Sequence, residues 1–173
     1  DINGHGTRLA SIAAGNRNPE EGVSGAAPEA ELVIVKLKPA KEYLRELYLI
    51  PPEAEVFQED DIMLGISYAI KCALRYQKPL SVCVGLGSSQ GSHRGDGPLS
   101  QYISSIADFT QNCVSVAAGN EGLARRHYMG LLDEKTTSDI LELRVGAKEA
   151  VHGFSMEFWG EASDFYHVTI QSP

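Results

Sequence analysis

Two residues with the chemistry of acyl transfer lie far apart in this chain. His5 stands in an Asn-Gly-His-Gly-Thr motif at 3–7, and Asn120 stands in an Ala-Ala-Gly-Asn-Glu-Gly motif at 117–122. An imidazole can accept a proton from a nucleophile, and a side-chain amide can donate a hydrogen bond to the oxyanion that forms when a peptide carbonyl is attacked. The pair therefore indicates two of the four groups that a serine protease needs.

The elements that must position these residues follow from the spacing of apolar side chains. Amphipathic periods predict helices, and dense β-branched runs between turn residues predict buried strands. The predicted helices are 8–14, 42–49, 60–77 and 100–111. Gly15 and Asn16 are predicted to end the first helix in the αL conformation. The predicted strands are 30–37, 80–86, 113–118 and 141–145. Strands that alternate with helices predict a doubly wound α/β fold with a largely parallel sheet.

Both candidate loops follow predicted strands. Gly85, Leu86 and Gly87 come at the end of one strand, and Asn120 follows the end of the next. Open parallel sheets bind ligands at the carboxyl ends of their strands. Glycine at 85 and 87 would also allow the backbone of a peptide strand to approach closely.

Three motifs in this order resemble the subtilisin-like serine proteases, or subtilases. His-Gly-Thr at 5–7 runs into a helix of small apolar residues, and Ala-Ala-Gly-Asn stands at 117–120. Between them, Gly-Ala-Ala-Pro at 25–28 is similar to the family's Gly-Val-Ala-Pro loop, with Ala26 where valine is usual. The resemblance covers residues 1 to about 150, which it identifies as part of a subtilase catalytic domain.

The resemblance implies a serine endopeptidase that cleaves protein or peptide substrates without a cofactor. It implies that His5 is the catalytic base, that Asn120 donates to the oxyanion, and that 85–87 pairs with the substrate backbone, although the family more commonly has serine at the position of Gly85. The substrate-binding residues expected beside Asn120 are Ala118, Gly119 and Glu121. The triad aspartate and serine are expected in the remainder of the same polypeptide, so the chain alone should be inactive. The alternative is a pseudoprotease or peptide-binding regulator that uses the same groove.

Within this family the chain is similar to the clostridial Csp-type germination proteases. The features are Lys-Leu-Lys at 36–38 followed by an insertion at about 39–60, the glycine-rich loop 85–93, and Phe-Trp-Gly-Glu at 158–161. In that group a jelly-roll domain follows the oxyanion asparagine, so 151–173 is expected to be β-rich as its start. An extracellular or spore-associated location goes with this resemblance. The insertion is interpreted either as a solvated excursion or as a docking element.

Ser155 and Asp1 imitate the two missing triad members. Gly-Phe-Ser-Met at 153–156 is similar to the family's Gly-Thr-Ser-Met, but the alternation of Phe154, Met156 and Phe158 predicts a strand and not a nucleophile helix. Asp1 lies only four positions before His5, where capping a turn is the expected role. Neither residue is predicted to be catalytic.

Composition and residue spacing disfavour several other classes of function. The 173 residues are 43% hydrophobic and 22% charged with a formal net charge of −8, which disfavours nucleic acid as a partner. No apolar run reaches the roughly 20 residues of a membrane span. The cysteines lack Cys-x-x-Cys spacing, and Cys83 and Cys113 are predicted to be buried. The oxygen-rich loop 16–24 lies where subtilases often bind calcium, but it is short and contains Pro19, so no metal site is predicted.

Overall fold

The computed structural model describes residues 3–109, 111–145 and 153–172, and in them it confirms the α/β class with a parallel sheet. The elements in chain order are α1 (His5–Ala14), α2 (Glu42–Leu47), α3 (Glu59–Tyr76), β1 (Leu80–Val84), α4 (Pro98–Ala107) and β2 (Asn112–Val116). Most predicted bounds differ from these by one to four residues, as is usual for element ends.

Strands β1 and β2 form one parallel pair. Their register runs from Leu80 opposite Asn112 to Val84 opposite Val116. Parallel neighbours need a crossover connection, and α4 supplies it between them. The unit therefore brings the carboxyl ends of both strands to the same edge of the sheet.

Helices α3 and α4 cover one face of this pair. Helix α3 packs against β1, α4 packs against β2, and the two helices contact each other. Ile66, Ala69 and Ile106 are buried at these contacts. Side chains alternate in exposure along β1, as expected when one face of a strand is covered. The covered face anchors the sheet edge that carries both candidate loops.

Local sequence explains where α3 begins and ends. Three acidic residues, Glu59, Asp60 and Asp61, lie in its first turn, where carboxylates favour the positive end of the helix dipole. Gln77 adopts the left-handed conformation after the last turn, with φ of 53°, and the N–H of Lys78 donates to the carbonyl of Ala73 at 3.0 Å. These bonds end the helix immediately before β1.

The ends of α1 differ from the prediction. The helix begins at His5 and not at Arg8, after Gly4 in a left-handed conformation with φ of 74°. The predicted αL stop at Gly15 is wrong, because Gly15 is extended with φ of −62° and ψ of 142°. The chain therefore leaves α1 directly into an extended segment.

Three predicted β segments are wrong in the described part of the chain. Residues 30–37, 141–145 and 153–172 contain no strand. A strand requires a neighbour whose N–H and C=O groups complete the ladder, and the described residues supply no such neighbour to these segments. The first segment nevertheless packs against α3, since a Cβ added at Gly65 would meet the side chains of Val35 and Leu37.

The predicted burial of Cys83 and Cys113 is also wrong, because both are exposed on the face of β1 and β2 opposite to the helices. The apolar residues beside both cysteines favoured a prediction of burial, but the described helices cover only one face of the sheet. The proposed boundary near residue 150 and the capping role of Asp1 fall outside the described residues. In the described part, no helix is long and apolar enough to cross a membrane.

Candidate active site

The imidazole of His5 lies at the carboxyl end of β1. Its Nε2 atom is 3.1 Å from the carbonyl oxygen of Gly85, the first residue after the strand. A carbonyl oxygen only accepts hydrogen bonds, so this contact is a hydrogen bond in the tautomer that has the ring proton on Nε2. His5 is itself exposed, which leaves the ring accessible to a reacting group.

Asn3 organises the turn that leads into His5. Its Oδ1 accepts a hydrogen bond from the backbone N–H of His5 at 2.8 Å, and the N–H of Arg8 donates to the carbonyl of Gly4 at 3.0 Å. Asparagine commonly forms such turns with the N–H two residues later. No role was predicted for Asn3 from the sequence, although its spacing from His5 is the signal of this turn.

A partner of Asn3 that the sequence did not predict comes from the insertion. The Nδ2 of Asn3 donates to Oε2 of Glu55 at 2.5 Å. The acidic composition of the insertion was visible, but 52 residues separate the two side chains and no local pattern joins them. Only the fold reveals this contact.

Glycine at 85 allows α1 to approach the end of β1. A Cβ at this position would overlap Cδ1 of Leu9 and would lie 3.3 Å from Nε2 of His5. A larger residue would therefore displace the side chains of α1 that face the strand. At Gly87 the space is ordinary, with the carbonyl oxygen of Ala117 3.7 Å from a built Cβ.

The loop that carries Asn120 runs beside the loop after β1. The N–H of Ala117 donates to the carbonyl of Val84 at 3.0 Å and extends the pairing past the ends of the strands. Gly119 then turns with φ of 87°, a conformation that favours glycine. Ala118, Asn120 and Glu121 are exposed in this turn.

Glu121 connects the two loops. Its Oε2 accepts a hydrogen bond from Ser89 Oγ at 3.3 Å, and its Oε1 accepts one from Arg126 Nη1 at 2.8 Å. The structure thus brings His5, the 85–87 segment and the 117–121 loop to one sheet edge. Whether the His5 and Asn120 side chains converge on one reacting atom stays a prediction.

The tail contacts this region through Glu157. Its Oε2 accepts hydrogen bonds from the backbone N–H of Gly91 at 2.6 Å and from Trp159 Nε1 at 3.1 Å. The Gly91 and Trp159 donors lower the pKa of the Glu157 carboxyl, and the electrostatic interaction with nearby His93 lowers it further. Arg94 forms an ion pair with Glu161 in the same contact. The tail therefore docks on the loop that follows the candidate substrate segment.

Ser155 and loop 16–24 are the two other segments that the sequence raised as candidates. Ser155 lies in an irregular segment and not at the start of a helix. In loop 16–24, Oδ1 of Asn18 accepts hydrogen bonds from the N–H groups of Glu20 and Glu21. No group of three or more His, Cys, Asp or Glu side chains within the described ranges could hold a metal ion.

Comparison with known sequences gives a family match over most of the chain. A sequence model of the subtilase family matches residues 1–143. The intracellular serine protease of Paenibacillus polymyxa is 35% identical over 122 residues, which are 70% of this chain and 30% of that protein. The major intracellular serine protease of Bacillus subtilis is 32% identical over 124 residues, 70% of this chain and 31% of that protein.

A solved structure supports the same relationship. The CspB protease of Clostridium perfringens superposes with a TM-score of 0.59 and 28% sequence identity, covering 72% of this chain and 25% of that one. The chain thus spans about a third or less of the length of each of these relatives.

Proposed function

The chain belongs to the subtilase family, and from this membership we propose that the full-length protein is a serine endopeptidase. It hydrolyses peptide bonds by acyl transfer. A serine from the rest of the polypeptide attacks the substrate carbonyl, and His5 accepts the serine proton and then donates it to the leaving amine. Asn120 and the backbone N–H of that serine stabilise the oxyanion.

The observation that carries this proposal is the place of His5 at the sheet edge. Its ring contacts the carbonyl of Gly85, and the loop of Asn120 continues the pairing of β2 with β1 beside it. A proton acceptor and an oxyanion donor must reach one reacting carbonyl, and loops at one edge of a parallel sheet can meet that requirement.

The same edge gives the expected mode of substrate binding. Residues 85–87 follow β1 with no helix after them until α4, and Gly87 is exposed. A peptide in extended conformation can pair with such a segment through backbone hydrogen bonds. Ala118, Gly119 and Glu121 form the neighbouring wall of the groove in this proposal.

The likeness to CspB supports a narrower proposal. We place the protein with the Csp-type proteases, in which a peptide bond of a spore protein precursor is cleaved during germination. The similarity of fold at 28% identity supports this group.

A pseudoprotease is the second candidate, and one observation favours it. With the ring proton on Nε2, that proton faces the Gly85 carbonyl, and this nitrogen then does not accept a proton from a nucleophile. A protein that keeps this arrangement binds peptides in the groove without cleaving them.

Labelling of the full-length protein with a fluorophosphonate probe separates the two candidates. A protease becomes covalently labelled and cleaves peptides, and H5A reduces cleavage by about 10⁴-fold or more. N120A reduces kcat by about 10²- to 10³-fold because one oxyanion donor is lost. A folded full-length protein that binds peptide but shows neither labelling nor cleavage is a pseudoprotease.

A further inference from the structure

One arginine, Arg45, makes three side-chain hydrogen bonds within the insertion at 39–60. The guanidinium of Arg45 on α2 donates to the carbonyl oxygens of Ala54, Pro51 and Pro52 at 3.0, 2.8 and 2.9 Å. These bonds fold the 51–54 turn back on α2. Arg45 is half-buried, so the charged group and its acceptors are partly shielded from water.

Backbone bonds then fix the residues on both sides of this turn. The N–H of Ile50 donates to the carbonyl of Arg45 at 2.8 Å, and the N–H of Ala40 donates to the carbonyl of Val56 at 2.8 Å. Glu55 lies between the arginine-bound turn and the residue paired with Ala40. Its backbone is therefore held on both sides.

The hydrogen bond between Glu55 and Asn3 fixes the orientation of the Asn3 side-chain amide. A carboxylate only accepts hydrogen bonds, so it selects the Nδ2 side of the Asn3 amide. The Oδ1 side is then directed to the backbone N–H of His5. If the amide turned over, Nδ2 would face that N–H and both contacts would be lost.

From these contacts we propose that Glu55 is a positioning residue for His5, and that the insertion at 39–60 orients the catalytic turn. The connection runs from Arg45 through the 51–54 turn to Glu55, to the Asn3 amide and to the His5 backbone. The effect on catalysis rests on the proposed protease function, whereas the contact itself does not.

The test uses the full-length protein with selective 15N-histidine labelling. The readouts are the hydrogen-exchange rate of the His5 amide and the steady-state kinetics of peptide cleavage. E55A speeds exchange at His5 by about three- to tenfold, because the Asn3 amide is no longer held in one orientation. The same variant lowers kcat by a similar factor and leaves KM within about twofold, since a small displacement of a catalytic group acts on the chemical step.

Two variants separate positioning from general damage to the insertion. E55Q keeps a carbonyl acceptor for Nδ2 and restores the His5 exchange rate. E46A removes an exposed carboxylate from α2 in the same insertion and leaves both readouts unchanged. Equal effects of E55A and E46A, or no effect of E55A on the His5 amide, would overturn the proposal.

Swapping the carboxylate and the amide between positions 3 and 55 tests the orientation of the Asn3 amide. In N3D one carboxylate oxygen still accepts from His5, but the other faces Glu55 and is repelled, so His5 exchange speeds up. In N3D/E55Q the glutamine amide donates to the carboxylate introduced at position 3, and the protection returns. If N3D/E55Q behaves like N3D, the contact does not carry the effect. A full-length protein without protease activity would refute the proposed function, while the His5 amide readout would still decide this inference.

Discussion

At the residue scale, the close approach of α1 to β1 depends on the absence of a side chain at 85. The space that a Cβ would need is filled by Leu9, and the ring of His5 lies just beyond it. This contact places the imidazole at the Gly85 carbonyl. Gly85 thus leaves the space that the side chains of α1 require and also supplies the carbonyl oxygen that the imidazole contacts.

We predict that G85A destabilises the full-length protein by about 1 kcal/mol, because overpacking forces Leu9 out of its position. The midpoint of urea unfolding measures the change. G87A is the matched control, since its new methyl group makes an ordinary contact with Ala117. L9A/G85A makes room for the methyl group and should show a favourable coupling between the two changes. Equal midpoints for G85A and G87A would contradict this account.

At the scale of elements, the tail is held near the glycine-rich loop by two carboxylates, those of Glu157 and Glu161, and not by strand pairing. Glu157 joins the backbone of Gly91 to the indole of Trp159, and Phe158 packs edge-on against Tyr166 with ring centroids 5.2 Å apart. A contact made by ionised groups depends on pH in a way that an apolar contact would not.

We predict that this tail contact weakens in acid. The pKa of Glu157 is lower in the folded protein than its ordinary value, so its contribution is present above the unfolded-state pKa and is lost as the pH falls through the folded pKa. The indole N–H resonance of Trp159 reports the change, because that proton is bonded to the carboxylate. The midpoint of the shift should lie below the ordinary pKa of glutamate and should vanish in E157Q. A shift that persists in E157Q assigns the titration to another group.

At the scale of the whole molecule, the described residues bury few apolar side chains. Only Ala14, Ile66, Ala69 and Ile106 are buried among them, while large apolar residues such as Leu123 and Ile140 are more than 90% exposed. Exposed apolar area of this extent is typical of a surface that packs against other protein. In our proposal the rest of the polypeptide covers it and also supplies the aspartate and serine of the triad.

We predict that the 173-residue chain by itself binds the dye ANS and unfolds without a sharp thermal transition. Its small buried core leaves little free energy to offset the conformational entropy of the chain. Fluorescence of the dye and calorimetry measure both properties, with the full-length protein as the control. The isolated chain should also remain unlabelled by a fluorophosphonate. A cooperative transition without dye binding would show that the chain completes its own core.

The sequence by itself determined the family resemblance, the α/β class and the candidate loops. Helix α3 was predicted to within one residue at each end, because its apolar period, acidic first turn and following proline are all local signals. The motifs around His5 and Asn120 are also local, so they could be recognised from the sequence alone. The place of the 85–87 segment and of the Asn120 loop at one sheet edge followed from the general rule for parallel strands.

The tertiary structure alone decided the features that depend on distant neighbours. Residues 30–37 have the composition of a buried strand, but a strand forms only beside a partner, and none lies next to them among the described residues. Cys83 and Cys113 lie in apolar runs, but their burial depends on what covers their face of the sheet. The contact of Glu55 with Asn3 joins residues 52 positions apart, and only the folded insertion brings a carboxylate to that amide.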